Sequence, residues 1–347
     1  MDTPLALRHG RTRIVLLALV GLLCAAVGAR LAFARTVAPI GTGVVVIDTN
    51  LGYEGGAAAG TGMVLTSSGE VLTNNHVVQG ATTIKVVLPG TGRSYTAKVV
   101  GYDVTADVAV LRAVGASNLK TAPLGDSSKV SVGDSVTALG NAGGTGSLTR
   151  AAGRITGLGK SITASDENGS ERLTGLLETD AGIQPGDSGG PLLNSSGQVV
   201  GMDTAASTGS GYQDVSSTDA YAIPINSALS IVRQIDAEHS SATVHIGGTA
   251  FLGIEVEPAS NGYGGYYGET PSGALVAGVV SGAPASRAGL TAGDVITAID
   301  GRTVTTPTTI TSLLLTKKPG QTVTIAYTDQ SGNSSTVRVT LGSGPAQ

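Results

Sequence analysis

Tryptophan is absent from the chain, and only two phenylalanines accompany its nine tyrosines. Large rings are therefore scarce, and Val, Leu, Ile and Ala must fill the interior. Cysteine is nearly absent as well: the single one, Cys24, lies inside an N-terminal apolar run. No intrachain disulfide is possible, and neither a cysteine-protease site nor a zinc–thiolate site can exist beyond that run. Charged residues make up 13% of the chain and the formal net charge is −4. With no Lys/Arg run interleaved with aromatics, nothing supports nucleic acid as a partner. Histidine is limited to His9, His76, His239 and His245. What the chain has in quantity is glycine, 52 residues among many Thr and Ser, a composition suited to strands joined by tight turns. Its 347 residues allow two or more domains with sizeable cores.

The run Gly186-Asp187-Ser188-Gly189-Gly190-Pro191 flanks a serine with glycines on both sides. Glycine opens backbone conformations closed to other residues and lets a substrate approach the main chain. Two N–H groups near such a serine can then converge where an oxyanion develops during acyl transfer. A plain Gly-rich turn between strands is the bland alternative, so a base must be found. His9 lies in the basic N-terminal tip, and His239 and His245 flank a Ser/Thr-rich stretch. His76 ends the β-branched segment Val71-Leu72-Thr73-Asn74-Asn75-His76, a strand end at which a base can reach the rim of a cleft. For the acid, Asp107 abuts the apolar run Val108-Ala109-Val110-Leu111, whereas Asp103 reads as a solvated turn residue. The order His76, Asp107, Ser188 differs from that of subtilisin and α/β-hydrolases and agrees with a chymotrypsin-like double β-barrel.

Further runs give the organisation. Val44-Val45-Val46-Ile47, Gly62-Met63-Val64-Leu65, Ile84-Lys85-Val86-Val87 and Ala97-Lys98-Val99-Val100 read as strands of a first barrel ending near Ala113. A second barrel is expected from about Lys120 to Ile225, and residues 226–235 show the 3–4 spacing of a closing helix. Near the start, residues 14–29 are an unbroken apolar run preceded by Arg8, Arg11 and Arg13. The basic side should stay cytoplasmic, which makes the segment an export or anchor element. A retained anchor and a cleaved signal ending at Ala32-Phe33-Ala34 both stay open.

Through Thr73-Asn74-Asn75-His76-Val77-Val78, Asp107-Val108-Ala109-Val110-Leu111 and Glu178-Thr179-Asp180-Ala181-Gly182-Ile183-Gln184-Pro185-Gly186-Asp187-Ser188-Gly189-Gly190-Pro191-Leu192, the chain resembles the HtrA family of serine proteases. The stretch Ile183 to Ala206 and Phe251-Leu252-Gly253-Ile254 point to its mycobacterial PepA-type branch. The resemblance implies a mainly β chain: 1–35 as cytoplasmic tip plus signal or transmembrane segment, 36–235 as a trypsin-like protease domain, 236–248 as linker, and 249–345 as a PDZ domain. It implies a catalytic triad of His76, Asp107 and Ser188, with an oxyanion hole at Gly186, Asp187 and Ser188. A specificity pocket is expected at Ala181, Gly182, Thr204 and Ala205, selecting small or medium apolar residues. Asp203 stands where the family usually has asparagine and is expected to face the strand edge. Phe251, Leu252, Gly253 and Ile254 match the loop with which PDZ domains take a peptide C-terminus. The Gly/Tyr-rich stretch Asn261 to Gly268 reads as a surface loop.

The function so implied is an extracytoplasmic endopeptidase acting on unfolded or damaged envelope proteins, with polypeptides as substrates and C-terminal peptides as PDZ partners. Neither a cofactor nor a metal is expected. The N-terminal segment meets the membrane if it is uncleaved, and a homotrimer is expected by resemblance, although the aromatic contacts that often build one are not evident. Two rivals remain. One is a non-catalytic or chaperone-like PDZ scaffold. The other is an α/β-hydrolase esterase, since Gly186-Asp187-Ser188-Gly189-Gly190 also satisfies Gly-x-Ser-x-Gly.

Overall fold

The structure, a computed structural model, describes residues 39–52, 56–166, 169–206, 219–259, 272–344 and 346. The N-terminal export or anchor segment and the Asn261–Gly268 stretch lie outside the described residues. Among those described, no helix is long and apolar enough to cross a membrane.

Six strands form the first barrel: β1 (Val44–Leu51), β2 (Gly56–Val64), β3 (Glu70–Thr73), β4 (Thr83–Val87), β5 (Ser94–Asp103) and β6 (Val108–Ala113). They hydrogen-bond in the order β5-β4-β1-β2-β3-β6, and a β5–β6 pairing closes the sheet. The apolar runs anticipated as strands supply the filling: Val45, Ile47, Val64, Val71, Val86, Ala109 and Leu111 share one buried cluster. The single-turn helix α1 (Asn75–Val78) follows β3 directly.

The second barrel closes in the order β10-β11-β12-β9-β8-β7. Its strands are β7 (Ser135–Gly140), β8 (Thr149–Asp166), β9 (Gly169–Thr179), β10 (Pro191–Asn194), β11 (Val199–Ala206) and β12 (Ala220–Pro224). Helix α2 (Ile225–Asp236) comes next and buries Ile225, Ala228, Val232 and Ile235, a stripe at 3–4 residue spacing. That stripe joins residues of both barrels, among them Val108, Val110, Met202 and Ile223, in one cluster.

The segment read as a linker holds a strand. β13 (Val244–Ile246) pairs antiparallel with β5, Val244 opposite Asp103 and Ile246 opposite Gly101. Val244 and Ile246 flank His245, whose ring lies 5.0 Å from that of Tyr102. A β-branched pair beside an available strand edge forms a ladder here where composition suggested loose chain.

The C-terminal domain contains β14 (Thr249–Phe251), β15 (Ile254–Pro258), β16 (Ala274–Val279), the short helix α3 (Pro284–Ala288), β17 (Val295–Ile299), β18 (Arg302–Thr303), helix α4 (Pro307–Leu315), β19 (Thr322–Thr328), β20 (Ser334–Thr340) and β21 (Gly342–Gly344). Its main sheet runs β15-β16-β17-β19-β20, with β18 beside β17, while β14 pairs with β21. Leu252, Val276, Leu290, Ile296, Ile310, Val323 and Ile325 lie in its core. Helix α3 ends at Gly289 with φ 87°, a left-handed cap that only glycine takes without cost.

Candidate active site and peptide-binding loop

The first barrel supplies an imidazole and a carboxylate. After β3 the chain turns into α1, which carries His76; the turn after β5 presents Asp107 just ahead of β6. Asp107 has φ 52°, uncommon for a residue with a side chain. The conformation is held by Asp107 N–H donating to the Val104 carbonyl (3.1 Å) and by Asn74 Nδ2 donating to the Asp107 carbonyl (2.9 Å). Asp107 is 2% exposed. Its Oδ1 accepts from the His76 backbone N–H (3.0 Å), and its Oδ2 lies 2.9 Å from His76 Nδ1. A carboxylate can only accept, so Nδ1 carries the proton and Nε2 is left with its lone pair. A third donor, the Thr204 hydroxyl from β11 of the second barrel, also reaches Asp107 Oδ2.

Ser188 sits on the loop between β9 and β10, and its Oγ donates to the Thr204 carbonyl (3.2 Å). Thr204 therefore touches both Asp107 and Ser188. The loop is fixed against the first barrel through Thr61 of β2: Thr61 Oγ1 donates to the Gly186 carbonyl (2.7 Å) and accepts from Asn141 N–H (2.9 Å). Thr61 N–H donates to the Ser188 carbonyl (2.9 Å). Two glycines make this approach possible. At Gly186 (φ 97°) a Cβ would lie 2.2 Å from the Asn141 carbonyl oxygen, and at Gly189 (φ 82°) 2.1 Å from that of Thr61.

The three residues expected to form the oxyanion hole differ in their N–H groups. Asp187 N–H donates to the Gln184 carbonyl (2.9 Å). The N–H groups of Gly186 and Ser188 have no acceptor among the described residues. Gly143 N–H holds the Pro185 carbonyl (2.8 Å). Because a trans peptide opposes its C=O and N–H, the Gly186 N–H points away from Gly143.

Of the expected pocket residues, Ala181 is fully buried in the apolar interior of the second barrel, and Gly182 is exposed. The Thr204 side chain faces Asp107, so it does not line a pocket; Ala205 lies on β11. Asp203 is not at a strand edge but fully buried, paired across β12 with Ala222. Thr61 and Asn74 had no local signal in the sequence: their roles are contacts to residues 125 and 33 positions away. His239 and His245 do not join Ser188, His245 being on β13 with its Nε2 3.3 Å from the Gly248 carbonyl.

In the C-terminal domain, Phe251, Leu252, Gly253 and Ile254 form the turn from β14 into β15. Gly253 has φ 77°, and a Cβ there would lie 2.2 Å from Ala283 Cβ. The Leu252 and Gly253 carbonyls accept from Ala285 (2.9 Å) and Val280 (3.0 Å), and their own N–H groups have no acceptor among the described residues. Beside that turn, β15 ends the sheet, with no strand on its outer edge among the described residues.

Residues 60–202 match the trypsin-like peptidase domain and residues 250–341 the PDZ domain. The chain is 35% identical over 289 residues to a probable periplasmic serine endoprotease DegP-like of Halomonas elongata, covering 82% of this chain and 56% of that protein. It is 33% identical over 317 residues to serine protease PepD of Mycobacterium tuberculosis, covering 86% of this chain and 63% of that one. It thus spans between half and two thirds of the length of these curated relatives. A solved structure of a variant of the HtrA-type protease AlgW with a tripeptide is 30% identical, covering 91% of this chain and 99% of that one, with a TM-score of 0.50. The chain belongs to the HtrA-type serine proteases.

Proposed function

We propose that this protein is a serine endopeptidase of the cell envelope that cleaves unfolded or damaged polypeptides through an acyl-enzyme. The observation that carries the reading is the Asp107 carboxylate, which receives His76 twice and Thr204 once, while Ser188 hangs from the carbonyl of the same Thr204. Asp107 holds the imidazole with Nε2 as the base; His76 takes the Ser188 proton as Oγ attacks the scissile carbonyl, then returns it to the leaving amine. Water attacks the acyl-enzyme by the same route in reverse. The developing oxyanion is received by the N–H groups of Gly186 and Ser188, which carry no competing acceptor among the described residues. The Asp187 N–H, already bonded to Gln184, is the weakest of the three assigned donors. Gly182 and Ala205 remain the proposed walls of a pocket for small apolar side chains, with the buried Ala181 behind them.

Phe251, Leu252, Gly253 and Ile254 are the proposed receptor for a peptide C-terminus. The N–H groups of Leu252 and Gly253 suit a terminal carboxylate, and the open edge of β15 suits an added strand. The periplasmic location in relatives' names and the tripeptide of the solved relative support an envelope site and a peptide ligand. Membrane attachment through the N-terminal segment and assembly as a homotrimer are part of the same proposal. Neither rival is favoured: among the described residues no long helices alternate with parallel strands as an α/β-hydrolase needs, and the likeness to serine endoproteases speaks against an inert scaffold.

The test is labelling of Ser188 with a fluorophosphonate, with and without a peptide bearing a free C-terminus. Labelling that vanishes in Ser188→Ala and in His76→Ala is expected. A chain that stays unlabelled after peptide addition is a scaffold, and one labelled normally in His76→Ala but not in His239→Ala has a different base.

A further inference from the structure

Two carboxylates that take no part in this chemistry lie beneath the serine loop. Asp187 is 3% exposed; its Oδ2 accepts from Gln184 N–H (2.9 Å), and its Oδ1 is buried without a partner among the described residues. Asp203 is 0% exposed, and neither of its oxygens has a hydrogen-bond partner among the described residues. The Asp203 backbone is laced to the loop on both sides, Gly189 N–H donating to its carbonyl (2.8 Å) and its own N–H donating to the Gly190 carbonyl (2.8 Å). The next residue, Thr204, holds Ser188 and Asp107. A displacement at Asp203 therefore reaches the nucleophile within one residue.

Among the described residues, no cation pairs with Asp203. From the loop comes Asp187; across β12 stands Ala222; and the titratable side chain of that strand, Tyr221, turns its hydroxyl to Glu178 (3.5 Å). On β10, Pro191 follows Gly190. An unpaired charge in such surroundings is so costly that the group takes a proton instead. Burial first, and then the charge of Asp187, push the Asp203 carboxyl well above the usual carboxylate range. Burial also raises Asp187, though the Gln184 N–H opposes it.

We propose that Asp203 is a positioning residue that works as a neutral carboxylic acid, keeping Gly189, Gly190 and Thr204 in register, and that its ionisation beside Asp187 drives the serine loop out of its reactive shape. The proton leaves to solvent hydroxide, and the two like charges then separate by moving the loop. The inference rests on Ser188 being the nucleophile. It yields an alkaline limit to activity that involves neither His76 nor substrate.

Infrared spectroscopy and kinetics on the full chain test it. The wild type should show the carbonyl band of a protonated carboxyl at neutral pH; the band should persist in Asp187→Asn, vanish in Asp203→Asn and titrate away reversibly at alkaline pH. Asp203→Asn, a neutral near-isostere, should keep neutral-pH turnover of a peptide anilide. It should also lose the alkaline limb, along which wild-type kcat falls about tenfold per pH unit beyond the midpoint. An absent band in the wild type, or the same alkaline limb in both proteins, overturns the proposal. Should Asp203→Asn fail to fold, the wild-type band and its titration decide alone. The infrared result is independent of protease activity, so failure of Ser188 labelling is read separately.

Discussion

Thr204 and Thr61 each do with one side chain what several residues would otherwise share. The Thr204 hydroxyl steadies Asp107 while its carbonyl holds Ser188; Thr61 joins the serine loop, Asn141 and the first barrel. Replacing Thr61 by Val removes two hydrogen bonds, each worth about 1 kcal/mol. Assay of kcat and Tm together should show kcat falling by about tenfold or more, with Tm lowered by only a few degrees. Asp107→Asn preserves the shape but presents a donor to His76 Nδ1, favouring the wrong tautomer; kcat on a peptide substrate should drop about 10⁴-fold with KM little changed. Asp203 also carries a stability signature. Its folded pKa is raised above the unfolded value, so between the two the folded state binds more protons, and stability declines as pH rises from about 4 through the folded pKa. Asp203→Asn should therefore gain Tm relative to wild type at pH 8 but not at pH 3.5, as calorimetry at both pH values will show.

At the scale of elements, the serine loop and the PDZ turn both depend on glycines that no other residue can replace. Gly253→Ala places a Cβ against Ala283 at a left-handed φ. It should abolish binding of a free C-terminal peptide in fluorescence anisotropy while leaving fluorophosphonate labelling of Ser188 in place. Much of this level was legible from the chain. Apolar, largely β-branched runs gave strands of the first barrel, and the stripe in α2 gave the closing helix. His76 and Asp107 stood out because few histidines compete and because Asp107 directly precedes an apolar strand. What stayed hidden depends on distant partners. The strand at Val244–Ile246 exists only because β5 extends far enough to receive it. Thr61 acts through the serine loop, and the burial of Asp203 follows from the closing of the second barrel rather than from its neighbours in sequence.

At the scale of the molecule, the C-terminal domain is fastened to the first barrel where it begins and again near its end. On entry, β13 lies on β5, and Thr249 Oγ1 meets the buried Tyr102 hydroxyl at 2.9 Å. Past β21, Ala346 pairs with Gln79, accepts from Gly80 N–H (2.9 Å) and is buried with Val77 and Val78 of the His76 helix. Between the two fastenings lies a cavity of about 440 Å³ lined by Thr82, Thr96, Lys98, Gly248 and Ser343. Ala346→Asp, which sets a charge against Val77 and Val78, should slow fluorophosphonate labelling of Ser188 several-fold while circular dichroism remains that of the folded chain. A domain tied at both ends cannot be treated as a cassette. A foreign PDZ domain grafted at residue 248 would inherit the entry strand from its host but would arrive without the residue that closes over α1. Any successful chimera must therefore borrow the tail of this chain together with its head, and the unit of exchange is the domain plus its return stitch.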